Sequence, residues 1–186
     1  EAALNAAITA TRLDKTDLSE KYLRFILDSP GTDEFRPDAQ TALMENFYAT
    51  KEYRAVIDLF RKSSLKAEGE KEALRLMIAA RAMVKLKQPS EASELFREVE
   101  RLVKPENDLA FQASYYRLNC FFQIEGRHVV DQVDAFLQIY AKFRPSDTRI
   151  HTAMLMKAET LFAENNVAEA AKTYSQIDPA LLSEAN

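Results

Sequence analysis

One pattern, returning at intervals of roughly three dozen residues, limits the folds open to this chain more than any other feature. An apolar-rich segment with helical spacing is followed by a short polar turn. A second such segment then carries a small or β-branched residue with an aromatic four positions on, as in Val56 with Phe60, Ala92 with Phe96 and Ala170 with Tyr174. The apolar or proline position after each turn is Leu18, Tyr53, Pro89, Val130 and Val167, at steps of 35, 36, 41 and 37 residues. A long fixed period built of helix pairs marks a solenoid, in which each unit buries its apolar face by stacking on its neighbours.

Glycine occurs only at 31, 69 and 126, and proline only at 30, 37, 89, 105, 145 and 179. Proline costs about 3 kcal/mol inside a helix but is tolerated in its first turn, so these residues punctuate an all-α chain. The spacing predicts helices over 2–13, 17–28, 38–50, 53–65, 70–87, 90–103, 107–125, 129–143, 147–164 and 167–177, with an eleventh starting near Pro179. Asp17 with Glu20, and Asn166 with Glu169, have the spacing of reciprocal capping boxes. Paired in order, the helices give a single repeat domain over 1–186, with units at about 1–30, 37–66, 70–104, 107–145 and 147–179. The longer step at the fourth unit places about two extra residues at Gly126, Arg127 and His128.

Composition narrows the function. With 47% apolar and 29% charged residues the chain is of soluble globular type, and it has no apolar run of about 20 residues to span a membrane. A net charge of -4 and a pI near 5.4 argue against nucleic acid as the main partner, because phosphate binding needs clustered Lys and Arg. A single cysteine, Cys120, cannot form an intrachain disulfide and reads as a small core residue. The opening Glu1-Ala-Ala-Leu, with no signal peptide after it, reads as a cut through a longer protein.

These residues resemble the tetratricopeptide repeat (TPR) family, in diverged form. The best-matching unit has Met154, Ala158, Leu161 and Phe162 on its first helix, then Ala170, Tyr174 and Asp178-Pro179. Another has Leu76, Ala79, Ala80 and Met83, then Ala92, Phe96 and Val99. A third has Leu43, Phe47 and Tyr48, then Val56, Phe60 and Ser63. No tryptophan opens any unit, Met44 stands where a small residue is expected, and the usual turn glycine is replaced by Lys51, Lys87 and Asn165. The resemblance implies a right-handed superhelical α-solenoid of four to five antiparallel hairpins, with the first helices lining a concave side where a partner's peptide or helix can lie. On that side it places Thr41, Glu45 and Tyr48, then Met77, Arg81, Val84 and Lys85, then Tyr116 and Gln123, and last Leu155, Glu159 and Phe162. The lysine and asparagine that grip acidic chaperone tails in some members are replaced here by Thr41 and Glu45. Diverged repeats of this kind are common in bacteria, often in envelope proteins, which implies a soluble protein of the periplasm, cell envelope or cytoplasm.

Catalytic chemistry has little material. His128 and His151 are the only histidines, three scattered glycines cannot form a phosphate loop, and a zinc site would need three or four converging ligands. The expectation is a non-catalytic scaffold without cofactor or metal, binding a protein or peptide on the concave face. The alternative is a substrate-recognition or self-association domain of an enzyme or cell-envelope assembly machine, with an RNA-binding helical repeat as a third reading. Apolar end segments, Ala2 to Ile8 and Pro179 to Leu182, lack the polar caps of solenoid ends, so the chain is expected either to continue into more repeats or to associate with itself.

Overall fold

The structure is a computed structural model that describes residues 1–63, 67–125 and 129–183. Among them it has eleven α-helices and no strand. The helices are α1 (Ala2–Arg12), α2 (Thr16–Asp28), α3 (Arg36–Ala49), α4 (Tyr53–Lys62), α5 (Gly69–Lys85), α6 (Pro89–Leu102), α7 (Asp108–Glu125), α8 (Val130–Tyr140), α9 (Thr148–Ala163), α10 (Val167–Tyr174) and α11 (Pro179–Ser183). A short 3-10 turn, Asp33–Phe35, precedes α3. The helices group into two compact units, Glu1–Gln88 and Pro89–Asn186. Gly126, Arg127 and His128, where the sequence places the insertion, lie outside the described residues, as do 64–66.

The repeat is most visible in the turns. Asp14, Lys51, Lys87 and Asn165 all adopt left-handed backbone, with φ of 55°, 65°, 59° and 63°. In each case the residue's N–H bonds to the carbonyl three back, and the next N–H bonds to the carbonyl five back. The second bond runs from Lys15 to Ala10 (2.9 Å), Glu52 to Phe47 (2.8 Å), Gln88 to Met83 (3.0 Å) and Asn166 to Leu161 (2.9 Å). This is the Schellman motif, which satisfies two of the carbonyls left open at a helix end. The residue after it begins a helix at Thr16, Tyr53, Pro89 and Val167. The missing turn glycines are therefore lysine, asparagine and aspartate held in the conformation that glycine would adopt freely.

The same turns explain why the expected capping boxes do not form. Lys15 and Asn166, which precede α2 and α10, have ψ of 65° and 64°, set by the turn, and neither makes a side-chain cap bond. Capping requires the extended backbone that aims a side chain at the first free amides. Asp147 has it, at ψ 129°, and its carboxylate accepts from the Arg149 amide at 2.9 Å. Asp17, one residue inside α2, instead places its charge against the helix N-terminus.

In Glu1–Gln88 the small residues Ala7, Ala39, Ala73, Ala79 and Ala80 are fully buried, which lets the helices approach closely. Met44 is buried as well. A polar joint lies between α1, α2 and α3: Ser19 and Asn46 are buried, the Asn46 amide donates to Ser19 Oγ at 2.9 Å, and Thr11 Oγ1 reaches both Ser19 (2.8 Å) and Asn46 (3.3 Å). Gln40 is buried, donates to the Leu59 carbonyl and accepts from Ser63.

In Pro89–Asn186 the core is aromatic. Phe111 stacks on Phe136 with centroids 5.7 Å apart, and Tyr140 closes on both rings. The Arg149 guanidinium lies 4.2 Å from the Phe111 centroid and is forked onto Asp147, which holds the Asp147 carboxyl below its ordinary range. Cys120 is buried, and loss of hydration raises its thiol pKa to about 11. Burial likewise raises the Tyr140 hydroxyl to about 12, against a hydrogen bond from Ser114 that acts the other way.

Candidate interaction surfaces

The first-helix residues named from sequence fall into several kinds of environment. Tyr48 and Arg81 meet: the guanidinium lies 4.7 Å from the ring centroid, and Tyr53 meets the same ring edge-on at 5.4 Å. A cation on an aromatic face is worth about 0.5–1 kcal/mol at an exposed site, enough to hold both side chains in one presentation. Met77 is a core side chain at the packed centre of α5. Thr41 is half-buried and bonds back to the Pro37 carbonyl of its own helix, while Val84 is half-buried and Lys85 is exposed.

Glu45 stands at the lip of a cleft of about 140 Å³ between α1 and α3, lined by Ile8, Thr11, Arg12, Ser19, Ala42 and Asn46 among others. Its floor is the Thr11–Ser19–Asn46 joint, with its hydrogen bonds already made. Much of Glu45 is exposed, yet the cleft side removes enough water to raise its carboxyl above the ordinary glutamate value. No cation is paired with it among the described residues. The contribution of α1 to this surface was not read from sequence, because residues 1–30 carry few motif positions. The signal that could have found it is register: Asp14 occupies the turn position shared by Lys51, Lys87 and Asn165.

In Pro89–Asn186, Tyr116 is half-buried and stacks on Phe96, with centroids 5.5 Å apart and planes 20° from parallel. Leu155 is half-buried, while Gln123, Glu159 and Phe162 are exposed, Phe162 at 62%. The side chains of Gln123, Glu159 and Phe162 share no hydrogen bond or ring contact among the described residues.

His151 is buried, with Nε2 3.0 Å from the Pro145 carbonyl and Nδ1 accepting the Asp178 N–H. With Nδ1 accepting, Nε2 is the nitrogen placed to donate to the Pro145 carbonyl. Among the described residues no cluster of three or more His, Cys, Asp or Glu is placed to hold a metal, and no helix is long and apolar enough to cross a membrane.

Helix pairs joined by a recurring left-handed turn, with buried small residues at the helix contacts, define the class: this is the fold of TPR-like helical repeat proteins. Among solved structures the chain is similar to a Podosopora anserina protein assigned as a kinesin light chain with nearly identical TPR-like repeats. That match has a TM-score of 0.70 and 15% identity, and covers 99% of this chain and 94% of the other. It is equally similar to YrrB, a TPR protein with an unusual peptide-binding site, at TM-score 0.70 and 16% identity over 98% of this chain and 89% of that one. No protein-family profile and no curated protein sequence matches the chain.

Proposed function

We propose that this chain is a non-catalytic interaction scaffold that holds a peptide or helix of a protein partner on its first-helix face. The observation that carries the reading is the α1–α3 cleft. There the Glu45 carboxylate is partly stripped of water and is paired with no cation among the described residues, and it stands over a floor whose hydrogen bonds are already satisfied. A carboxylate in that state gains from an incoming ammonium or guanidinium, so the favoured segment carries lysine or arginine at this point. Tyr48 on α3 and Arg81 on α5 add an aromatic and cationic contact of the sort enriched at binding hot spots. The fold shared with a TPR protein that has a peptide-binding site supports the same use.

A second reading, self-association, is favoured by a different feature. The groove between α1 and α2 is about 350 Å³ and lined by Ala6, Ala10, Leu13, Leu18 and Tyr22, with Leu13 60% exposed. An apolar surface of this kind on a repeat hairpin suits a further helix.

The test is capture from lysate by wild type and by a Tyr48→Ala, Arg81→Glu, Tyr116→Ala variant whose helicity is checked by circular dichroism. A specific protein retained by wild type and lost by the folded variant is expected. Equal retention by both would remove the first-helix face from consideration. Sedimentation of Leu13→Glu beside wild type decides the second reading, which fails if both are monomers at every concentration.

A further inference from the structure

The α7–α8 pair departs from the other hairpins. The helix starts Thr16, Tyr53, Pro89, Val130 and Val167 stand 37, 36, 41 and 37 residues apart, so the long step falls at α8. Between α7 and α8 lies a cleft of about 240 Å³. Leu118, Phe121, Phe136 and Ile139 form its apolar walls, and Ile139 is 42% exposed. An apolar cavity of about 150 Å³ is large enough for a benzene ring, so this one has room for a leucine, methionine or phenylalanine side chain.

Its polar rim has a definite sign. Arg117, on the α7 side, is forked onto Glu100 at 2.8 and 3.0 Å, and that pair is neutral. Asp131, on the α8 side, is exposed and has no ion pair among the described residues. Among the described residues the mouth therefore carries one charge without an ion-pair partner, the negative charge of Asp131, beside an open apolar pocket.

We propose that this cleft is a second docking site, for a peptide segment of a protein partner that inserts one leucine- to phenylalanine-sized side chain and presents a lysine or arginine to Asp131 within about one helical turn of it. The apolar side chain supplies the affinity and the ion pair fixes the orientation, since an exposed pair alone is weak. Glu45 and Arg81 belong to the other compact unit and line no part of this cleft.

The test uses the full chain to select from a displayed library of random short peptides, followed by fluorescence anisotropy of synthetic copies against variants. Ala135→Phe fills the cleft and Asp131→Lys reverses its charge. Both positions are exposed on α8, and circular dichroism is the check that the variants keep their helices. Selected peptides are expected to share the apolar anchor and nearby cation and to lose at least about tenfold in affinity on Ala135→Phe. They should lose roughly two- to fivefold on Asp131→Lys, regained when the peptide cation is changed to glutamate. Arg81→Glu should leave binding unchanged, which separates this site from the first-helix face. Peptides indifferent to Ala135→Phe, peptides sensitive to it but not to Asp131→Lys, or no enrichment at all would each overturn the proposal. So would self-association of the chain that Ala135→Phe abolishes, which would make the occupant a second copy.

Discussion

Replacing Lys51 and Lys87 by glycine should stabilise the protein, although each substitution removes a side chain and adds no contact. Both residues hold left-handed backbone, at φ 65° and 59°, and both side chains are exposed and make no hydrogen bond or ion pair among the described residues. For an ordinary L-residue the left-handed region costs about 1–2 kcal/mol. Glycine escapes that strain but loses about 0.5–1 kcal/mol more backbone entropy on folding. The balance is a gain of about 0.5 kcal/mol per turn, or about 1 kcal/mol for the pair, which in a chain of this size raises Tm by about 2–4 °C. Three comparisons isolate the cause. Lys51→Ala should leave Tm nearly unchanged, because alanine has the same backbone strain. Lys51→Val should lower it, since a β-branched residue is poorly accommodated at positive φ. Asn165→Gly, at φ 63°, should gain least, because asparagine already tolerates this region. Thermal melts followed by circular dichroism at 222 nm read all of these. If Lys51→Gly lowered Tm, or Asn165→Gly gained as much as the lysine positions, backbone strain at these turns would not be the controlling quantity.

Two further outcomes follow from the aromatic core of Pro89–Asn186. The Tyr140 hydroxyl is raised from about 10 when unfolded to about 12 when folded, so its contribution is intact below pH 10 and is lost as pH rises from 10 toward 12, by roughly 2–3 kcal/mol in all. Urea titrations across pH 8 to 11 should show this fall in wild type and a shallower one in Tyr140→Phe. Phe96→Ala removes a fully buried ring stacked on Tyr116 and should cost about 3–5 kcal/mol by urea denaturation. A loss below about 1 kcal/mol would mean that the helices collapse onto the vacated space.

Most of the fold was legible in the sequence, because helix pairing at a fixed step leaves its mark in apolar spacing and in the placement of proline. Pro89 and Pro179 open α6 and α11, and the observed helix ends fall within a few residues of those expected. The first hairpin was harder to read. Its shared turn rests on Asp14, and its bonds to α3 run through the polar Thr11 and Ser19, which no motif for an apolar repeat selects. The caps were misread because residue type at Asn166 suggested a bond that the backbone angle forbids. Surface residues were the least legible. Helical spacing placed Met77 beside Arg81, but α5 is buried over most of its circumference, from Arg75 through Ala80. The contact between Tyr48 and Arg81 joins two helices far apart in sequence and could be found only once both were placed.

Chains built of near-equal repeats face a hazard in assembly, since one hairpin can dock against the wrong neighbour when their surfaces are alike. The joint between Thr11, Ser19 and Asn46 acts as an address against that error. At the positions five residues before the other left-handed turns, Asn46 is matched by Ala82 and Thr160; five residues after them, Ser19 is matched by Val56, Ala92 and Ala170. Docked against Ala82, the first hairpin would lose the bond from the Asn46 amide to the buried Ser19 hydroxyl, worth about 0.5–1.5 kcal/mol, and keep only the Thr11–Ser19 bond made within itself. Against Asn46 every one of these groups has a partner. A joint that adds little to net stability can thus still bias the hairpin toward its correct neighbour, and its loss would be felt first as heterogeneity among refolded molecules.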